Sequence, residues 1–227
     1  NKRKFKAPNQ QGEHIAEQDS EDTTITLVER NAEYSPVMLT RLENTLNAAK
    51  NSLDRYESVL IGGPVGCGKS TFVNNLAKEF CCKVHSIQIS EQTDAKTLLG
   101  AYCCTEVPGQ FIWRPGPLIS AMKQGYALIL EDIDRGSAEL QLLITSVLRK
   151  LKDCSSSLNN GVLVDPVNGN PIHQHKNFRL LMTRRFVTCQ GGDFRQEYVN
   201  PLIDLLDRYC FVITLPNFSK DEIYLVS

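Results

Sequence analysis

Residues 63–70 read Gly-Pro-Val-Gly-Cys-Gly-Lys-Ser and fit the phosphate-binding pattern G-x-x-x-x-G-K-[ST] without a mismatch. The apolar run 58–61 precedes this loop and predicts a short buried strand, and residues 71–78 after it predict a helix. Glycines let the backbone curl so that N–H groups face phosphate oxygens, and the helix N-terminus adds its positive dipole end. In this context Lys69 would reach the phosphates and the Ser70 hydroxyl would bind Mg²⁺. The stretch therefore predicts a nucleotide site.

A second apolar strand ends in two adjacent carboxylates. Residues 127–130 are Ala-Leu-Ile-Leu, and Glu131 and Asp132 follow them. In a phosphoryl-transfer site one such carboxylate holds Mg²⁺ through water, and the next can polarise the attacking water. The pair therefore predicts hydrolysis of the bound nucleotide. The alternative interpretation is a solvated Glu-Asp pair at a strand end.

Apolar strands alternate with helices along the chain. The pattern predicts further strands at 83–89, 178–183 and 210–215, and further helices at 35–56, 94–99, 137–151 and 199–206. Continuously apolar strands separated by helices indicate a parallel sheet that is covered on both faces. We therefore predict an α/β fold of the P-loop NTPase type, a three-layer αβα sandwich. Residues 161–164, within a Ser/Asn/Gly-rich stretch, predict a small hairpin arm.

Composition and charge exclude several kinds of partner. The chain has 227 residues, is 41% hydrophobic and carries a formal net charge of −1, as is ordinary for a soluble globular protein. This balance gives no general attraction to nucleic acid or to an anionic membrane. No run of about 18 apolar residues occurs, so no membrane span is expected. We expect neither direct nucleic-acid readout nor membrane association.

The eight cysteines predict free thiols. They include two adjacent pairs, at 81–82 and 103–104, and no C-x-x-C spacing occurs. This arrangement predicts an intracellular reducing compartment. The chain begins with Asn1 and not with Met, so we expect a piece of a longer protein.

Four short motifs follow one another in a specific order. They are the phosphate loop, Glu-Gln-Thr-Asp at 91–94, Pro-Gly-Gln-Phe-Ile-Trp-Arg-Pro-Gly at 108–116 and Leu-Glu-Asp-Ile-Asp at 130–134. This order resembles the AAA+ ATPases of the MoxR and dynein-related clade over about residues 37–215. The resemblance implies an AAA+ core over residues 35–218 with strand order 5-1-4-3-2. It also implies a helix-2 insert hairpin near 103–117 and the start of a lid at 219–227. Segment 1–34 is expected to be disordered or extended, because the residues at its start are polar and poor in apolar side chains.

The resemblance also implies a role for each matching residue. Glu131 falls at the Mg²⁺-associated acid, and Asp132 at the catalytic-glutamate position, where its shorter side chain predicts slow hydrolysis. Thr183 and Arg184 fall where many relatives carry a sensor Asn, which Arg184 replaces. The implied catalytic residues are Lys69, Glu131, Asp132 and Arg208, of which Arg208 would be an arginine finger. The implied Mg²⁺ ligands are Ser70 and Glu131. The implied ATP-binding residues are Gly63, Pro64, Val65, Gly66, Cys67, Gly68, Lys69, Ser70, Thr71, Thr183 and Arg184. The alternative for Arg208 is a pair with Asp204 or Asp207.

For the whole protein, the resemblance to dynein-related modules of ribosome assembly implies an ATPase with ATP and Mg²⁺ as cofactors. Neighbouring AAA+ modules would complete a six-module ring, so an isolated module is expected to be weakly active or inactive. The ring would remove assembly factors from precursor (pre-60S) ribosomal particles in the nucleolus and nucleoplasm. Two alternatives stay open: a MoxR-like chaperone ATPase, and a module that binds nucleotide and only braces the ring. The exchanged order of Glu131 and Asp132 keeps the second alternative open.

Overall fold

The computed structural model has a five-stranded parallel sheet at its centre. It describes residues 36–53, 57–80, 83–154, 162–185, 187–188, 194–195 and 205–218. The strands of the sheet are, in chain order, β1 Ser58–Gly63, β2 Val84–Gln88, β3 Ala127–Glu131, β4 Arg179–Arg185 and β5 Phe211–Thr214. Their order across the sheet is β5-β1-β4-β3-β2, and every neighbouring pair is parallel. The predicted fold class and strand order 5-1-4-3-2 are confirmed.

Helices cover both faces of this sheet. The described helices are α1 Pro36–Leu53, α2 Lys69–Phe80, α3 Ala95–Leu99, α4 Pro117–Gln124 and α5 Ala138–Cys154. Helices α1 and α2 pack against one face, where Leu53 and Phe72 join a core with Ile129. Helices α3, α4 and α5 pack against the other face, where Met122 and Ile144 belong to a second core. The three layers are those of the predicted αβα sandwich.

The central strands supply side chains to both cores. In β3, Leu128 and Leu130 belong to one core, whereas Ala127 and Ile129 belong to the other. This division follows from the pleat, because successive side chains of a strand point to opposite faces. Since all five strands are parallel, their carboxyl ends meet at one edge of the sheet, where ligands bind in such folds.

Short antiparallel hairpins extend from this framework. Gly100–Cys104 pairs with Phe111–Pro115 between α3 and α4, which overlaps the stretch 103–117 where the insert hairpin is expected. Leu163–Val164 pairs with Pro171–Ile172, at the small arm that the sequence predicts. The described hairpins also include Val187–Thr188 with Phe194–Arg195.

Some predictions fall on other parts of the chain. Segments 1–34 and 219–227 lie outside the described residues, as does the predicted helix 199–206 except for its last two positions. Among the cysteines whose side chains are described, Cys103, Cys104 and Cys210 are free thiols, and Cys67 is buried. The reducing compartment itself stays a prediction. In the described part of the chain, no helix combines the length and the apolar character that crossing a membrane requires.

We expect Gly100→Ala to destabilise the 100–115 hairpin more than Gly109→Ala does. Both glycines have positive φ, 123° and 83°, so backbone strain is common to the two variants. A Cβ at Gly100 would in addition collide with the Arg114 carbonyl oxygen and lie 2.6 Å from the Gly116 nitrogen, whereas Gly109 has open space around it. The collision should cost about 1–3 kcal/mol more. Urea titrations followed by the fluorescence of Trp113, the single tryptophan, measure the difference. Equal midpoints would contradict the crowding at Gly100.

Candidate functional site

The phosphate loop joins the end of β1 to the first turn of α2. Gly66 and Gly68 have φ of 80° and 87°, a region that side chains disfavour. Lys69 is 8% exposed, and its Nζ donates hydrogen bonds to the carbonyl oxygens of Gly63 at 3.1 Å and Pro64 at 2.7 Å. The ammonium group therefore lies against the loop, beside a helix N-terminus that favours anions.

The start of the loop is packed against the residue that follows the fifth strand. A Cβ at Gly63 would lie 2.7 Å from Cys67 Sγ and 2.8 Å from the carbonyl oxygen of Leu215. Cys67 is 2% exposed, so its thiol fills the inside of the loop, whereas Val65 is 79% exposed at the outside. Thr71 follows in the first turn of α2, half-buried. Close packing therefore requires a glycine at position 63.

A hydrogen bond joins the phosphate loop to the end of β3. The Ser70 hydroxyl donates to Glu131 Oε2, and the Ser86 hydroxyl on β2 donates to Glu131 Oε1 at 3.1 Å. The two residues predicted to bind Mg²⁺ are thus in direct contact. A hydroxyl and a carboxylate oxygen are the hard donors that Mg²⁺ prefers.

Asp132 lies at a sharp turn that ends β3. Its φ and ψ are 55° and 50°, and it is the one non-glycine residue with positive φ among those described. Its Oδ2 accepts a hydrogen bond from Gln88 Nε2 at 3.0 Å, and its backbone nitrogen donates to Thr183 Oγ1 at 2.9 Å. Thr183, 1% exposed, therefore positions the backbone of the second acid. Non-glycine residues adopt this left-handed conformation uncommonly, and such residues are concentrated at functional sites.

The two arginines at the end of β4 point to opposite faces. Arg184 is 5% exposed and forms an ion pair with Asp207, in which Nη2 donates a hydrogen bond to Oδ2 at 3.0 Å and Nη1 lies 2.8 Å from Oδ1. Because of the pleat, its side chain leaves the sheet on the face opposite to Thr183. The structure therefore does not bring Arg184 to the acids of β3, and this corrects its expected place at the sensor position.

Arg185 occupies the face on which Arg184 is expected. Its Nε and Nη2 donate to Asp134 Oδ2 at 3.0 and 2.9 Å, and its Nε lies 3.9 Å from Asp132 Oδ1. Its backbone nitrogen also donates to Asp134 Oδ1 at 3.1 Å. Arg185 thus holds the turn that carries both Asp132 and Asp134.

Arg208 lies in the turn before β5. Its side chain is exposed, its backbone nitrogen donates to the Leu205 carbonyl at 3.2 Å, and its own carbonyl accepts from Lys152 Nζ at 3.2 Å. Asp207, one of the two acids that could pair with Arg208, pairs with Arg184. The other, Asp204, lies outside the described residues.

Three polar residues of this cluster, Ser86, Gln88 and Arg185, are not predicted from the sequence. Ser86 and Gln88 are alternate residues of β2, and Gln88 is in register with Glu131 across the parallel pair. Polar residues at alternate positions of a strand are the signal that could identify them. The same period of two, counted from Thr183, identifies Arg185 rather than Arg184.

Comparisons with known proteins identify relatives over much of this chain. Midasin of Dictyostelium discoideum is 30% identical over 183 residues, 79% of this chain, and midasin of Giardia intestinalis is 27% identical over 158 residues, 64% of this chain. An uncharacterized protein of Staphylococcus saprophyticus is 29% identical over 136 residues, 59% of this chain and 50% of that protein. The chain spans only 3% of the length of either midasin.

A family model extends over most of the sheet. The model, described as the dynein-related subfamily of AAA domains, matches residues 58–193, which include β1 to β4 and the phosphate loop. The resemblance that the order of the motifs indicates is thereby confirmed. By its sequence, its strand order and its phosphate loop, this chain belongs to the dynein-related subfamily of AAA domains.

Proposed function

We propose that this module binds ATP with Mg²⁺ through the phosphate loop and hydrolyses the γ-phosphate bond. The observation that carries the proposal is the hydrogen bond between Ser70 and Glu131. Lys69 precedes Ser70 in the chain, and its ammonium group lies against the same loop. A hydroxyl, a carboxylate, a lysine and a helix N-terminus together fit a metal-bound triphosphate. No other described cluster combines these groups.

Each residue would have a distinct part in hydrolysis. Lys69 would exchange the carbonyl oxygens of Gly63 and Pro64 for phosphate oxygens. Ser70 and Glu131 would hold Mg²⁺, which when bound neutralises charge on the β- and γ-phosphates. Asp132 would accept a hydrogen bond from the attacking water and orient it in line with the bond that breaks.

One observation favours a second candidate, a module that binds nucleotide and braces a ring without hydrolysis. The Asp132 carboxylate accepts a hydrogen bond from Gln88 and lies 3.9 Å from the Arg185 guanidinium. Both contacts stabilise the carboxylate where it is, and aspartate is one methylene shorter than the glutamate expected at this position. An attacking water would therefore have to bind a carboxylate that these contacts hold in place, through an acceptor site that Gln88 does not occupy.

The wider function rests on the similarity to midasins and on the order of the four motifs. We propose that neighbouring AAA+ modules complete a ring with this one and that Arg208 reaches the ATP of a neighbour. The whole protein would use the ring to remove assembly factors from pre-60S ribosomal particles in the nucleus. A MoxR-like chaperone remains the alternative, and the number of AAA+ modules in the full-length chain distinguishes the two.

Lys69→Ala should weaken ATP binding. The variant removes the one side-chain cation of the loop, and a hydrogen bond to a charged group contributes about 1.5–3 kcal/mol, so affinity should fall about 10- to 100-fold. Titration calorimetry measures the change. Lys150→Ala, on the exposed side of α5, is the matched control and should leave affinity unchanged. Unchanged affinity of Lys69→Ala would show that the site is elsewhere.

Asp132→Asn should stop turnover and leave ATP bound. Asparagine has the same shape and tolerates the left-handed backbone, but it is a poor base, so hydrolysis by the full-length protein should fall about 10²- to 10⁴-fold. Asp153→Asn, which changes a carboxylate that is 72% exposed on α5, is the control. Steady-state phosphate release measures both variants. Equal rates for Asp132→Asn and wild type, or a wild-type rate at background, would favour the bracing module.

Arg208→Ala should lower hydrolysis at the adjacent module and leave ATP binding at Lys69 intact. A guanidinium supplied in trans neutralises charge on the γ-phosphate and can contribute about 10³-fold or more in rate. The measurement is turnover per folded ring in the full-length protein, with ATP binding followed separately. The finger assignment fails if the variant only lowers the melting temperature while turnover per ring stays the same.

A further inference from the structure

The backbone around Arg208 is held from several directions while the Arg208 side chain is exposed. Lys152 Nζ on α5 donates to the Arg208 carbonyl at 3.2 Å, and the Ser58 hydroxyl on β1 donates to the Tyr209 carbonyl at 3.3 Å. The Cys210 thiol, whose pKa burial raises to about 12, donates to the Leu206 carbonyl at 2.7 Å. A fixed backbone that presents an exposed guanidinium is the arrangement that a finger acting on another molecule requires.

The strongest of these contacts comes from β4. Arg184 is nearly enclosed, at 6% side-chain exposure, and both of its terminal nitrogens engage the Asp207 carboxylate. One hydrogen bond and a second close contact to the other carboxylate oxygen restrict the orientation of the two groups as well as their distance. Asp207 is the residue immediately before Arg208. The pair therefore determines where the turn begins.

Thr183 and Arg185, the neighbours of Arg184 in β4, contact the turn that follows β3. Thr183 accepts from the backbone nitrogen of Asp132, and Arg185 pairs with Asp134. Three consecutive residues of β4 thus contact two turns. Thr183 and Arg185 contact the turn of Asp132 and Asp134 on one face, and Arg184 contacts the turn of Arg208 on the other. Within the described residues no other strand end contacts both turns through its side chains.

We propose that Arg184 is a positioning residue that, through its ion pair with Asp207, aligns Arg208 for the active site of the neighbouring module. The inference rests on the proposed finger role of Arg208. It assigns to Arg184 a task at the module boundary, in place of the sensor role at its own nucleotide. The end of β4 then links the module's own acids to the cation that it presents to its neighbour.

The test uses the full-length protein in which only this module and its neighbour keep their phosphate-loop lysines. We expect Arg184→Met to lower kcat about 10- to 100-fold, because a displacement of about 1 Å at a catalytic group has an effect of this size. KM for ATP and nucleotide binding at Lys69 should stay within about twofold of wild type, since the Arg184 side chain pairs with Asp207 on the face opposite to Thr183. Asp207→Asn keeps the shape and one oxygen acceptor, so it should fold where Arg184→Met does not and should give a smaller loss of kcat.

The decisive comparison combines these variants with Arg208→Ala. If Arg184 acts through Arg208, then Arg184→Met or Asp207→Asn causes no further loss of kcat in the Arg208→Ala background. Arg149→Met, which breaks an exposed pair with Asp153 on α5, is the matched control and should leave kcat unchanged. Additive losses, or a loss of nucleotide binding at Lys69, would overturn the positioning role and leave the finger standing. An unchanged rate in Arg208→Ala alone would instead overturn the finger and the inference with it.

Discussion

A parallel sheet sends the carboxyl ends of all its strands to one edge, and this constraint decides where every polar residue of the site lies. The phosphate loop leaves β1 at that edge, the two acids leave β3, and the two arginines end β4. None of these segments is close to the others in sequence. Their meeting depends on the strand order, in which β4 lies between β1 and β3 and pairs with both. The helices that cover both faces of the sheet stabilise this strand order.

The pleat adds a second constraint at the same edge, because it assigns neighbouring residues to different faces. On one face Glu131 meets the Ser70 hydroxyl, and Arg185 meets Asp134. On the other face Arg184 meets Asp207 near the core that α5 covers. Two arginines adjacent in sequence therefore belong to different environments, one at the nucleotide side and one under the turn of Arg208. A shift of one residue in the register of β4 would exchange them.

The α/β layers and the strand positions could be predicted because continuous apolar runs and a complete phosphate-loop pattern are local signals. The sheet order came from the resemblance and not from the runs themselves. The contact between Ser70 and Glu131 could also be predicted, since each residue belongs to a motif of known chemistry. Gln88 and Arg185 were not identified, because their roles depend on register between strands and on side-chain direction. The expectation for Arg184 shows the limit of prediction from motifs. A motif alignment that ignores the pleat is uncertain by one residue, and a shift of one residue moves the side chain to the other face of the sheet.

The left-handed backbone at Asp132 restricts which amino acids can evolve at that position. Asp, Asn and Gly occupy this conformation with little strain, whereas longer or branched side chains are penalised. Of the three tolerated residues only aspartate carries a carboxylate. The exchanged order of Glu131 and Asp132 therefore fits a position at which the backbone conformation limits the choice of amino acid before the chemistry of the site does.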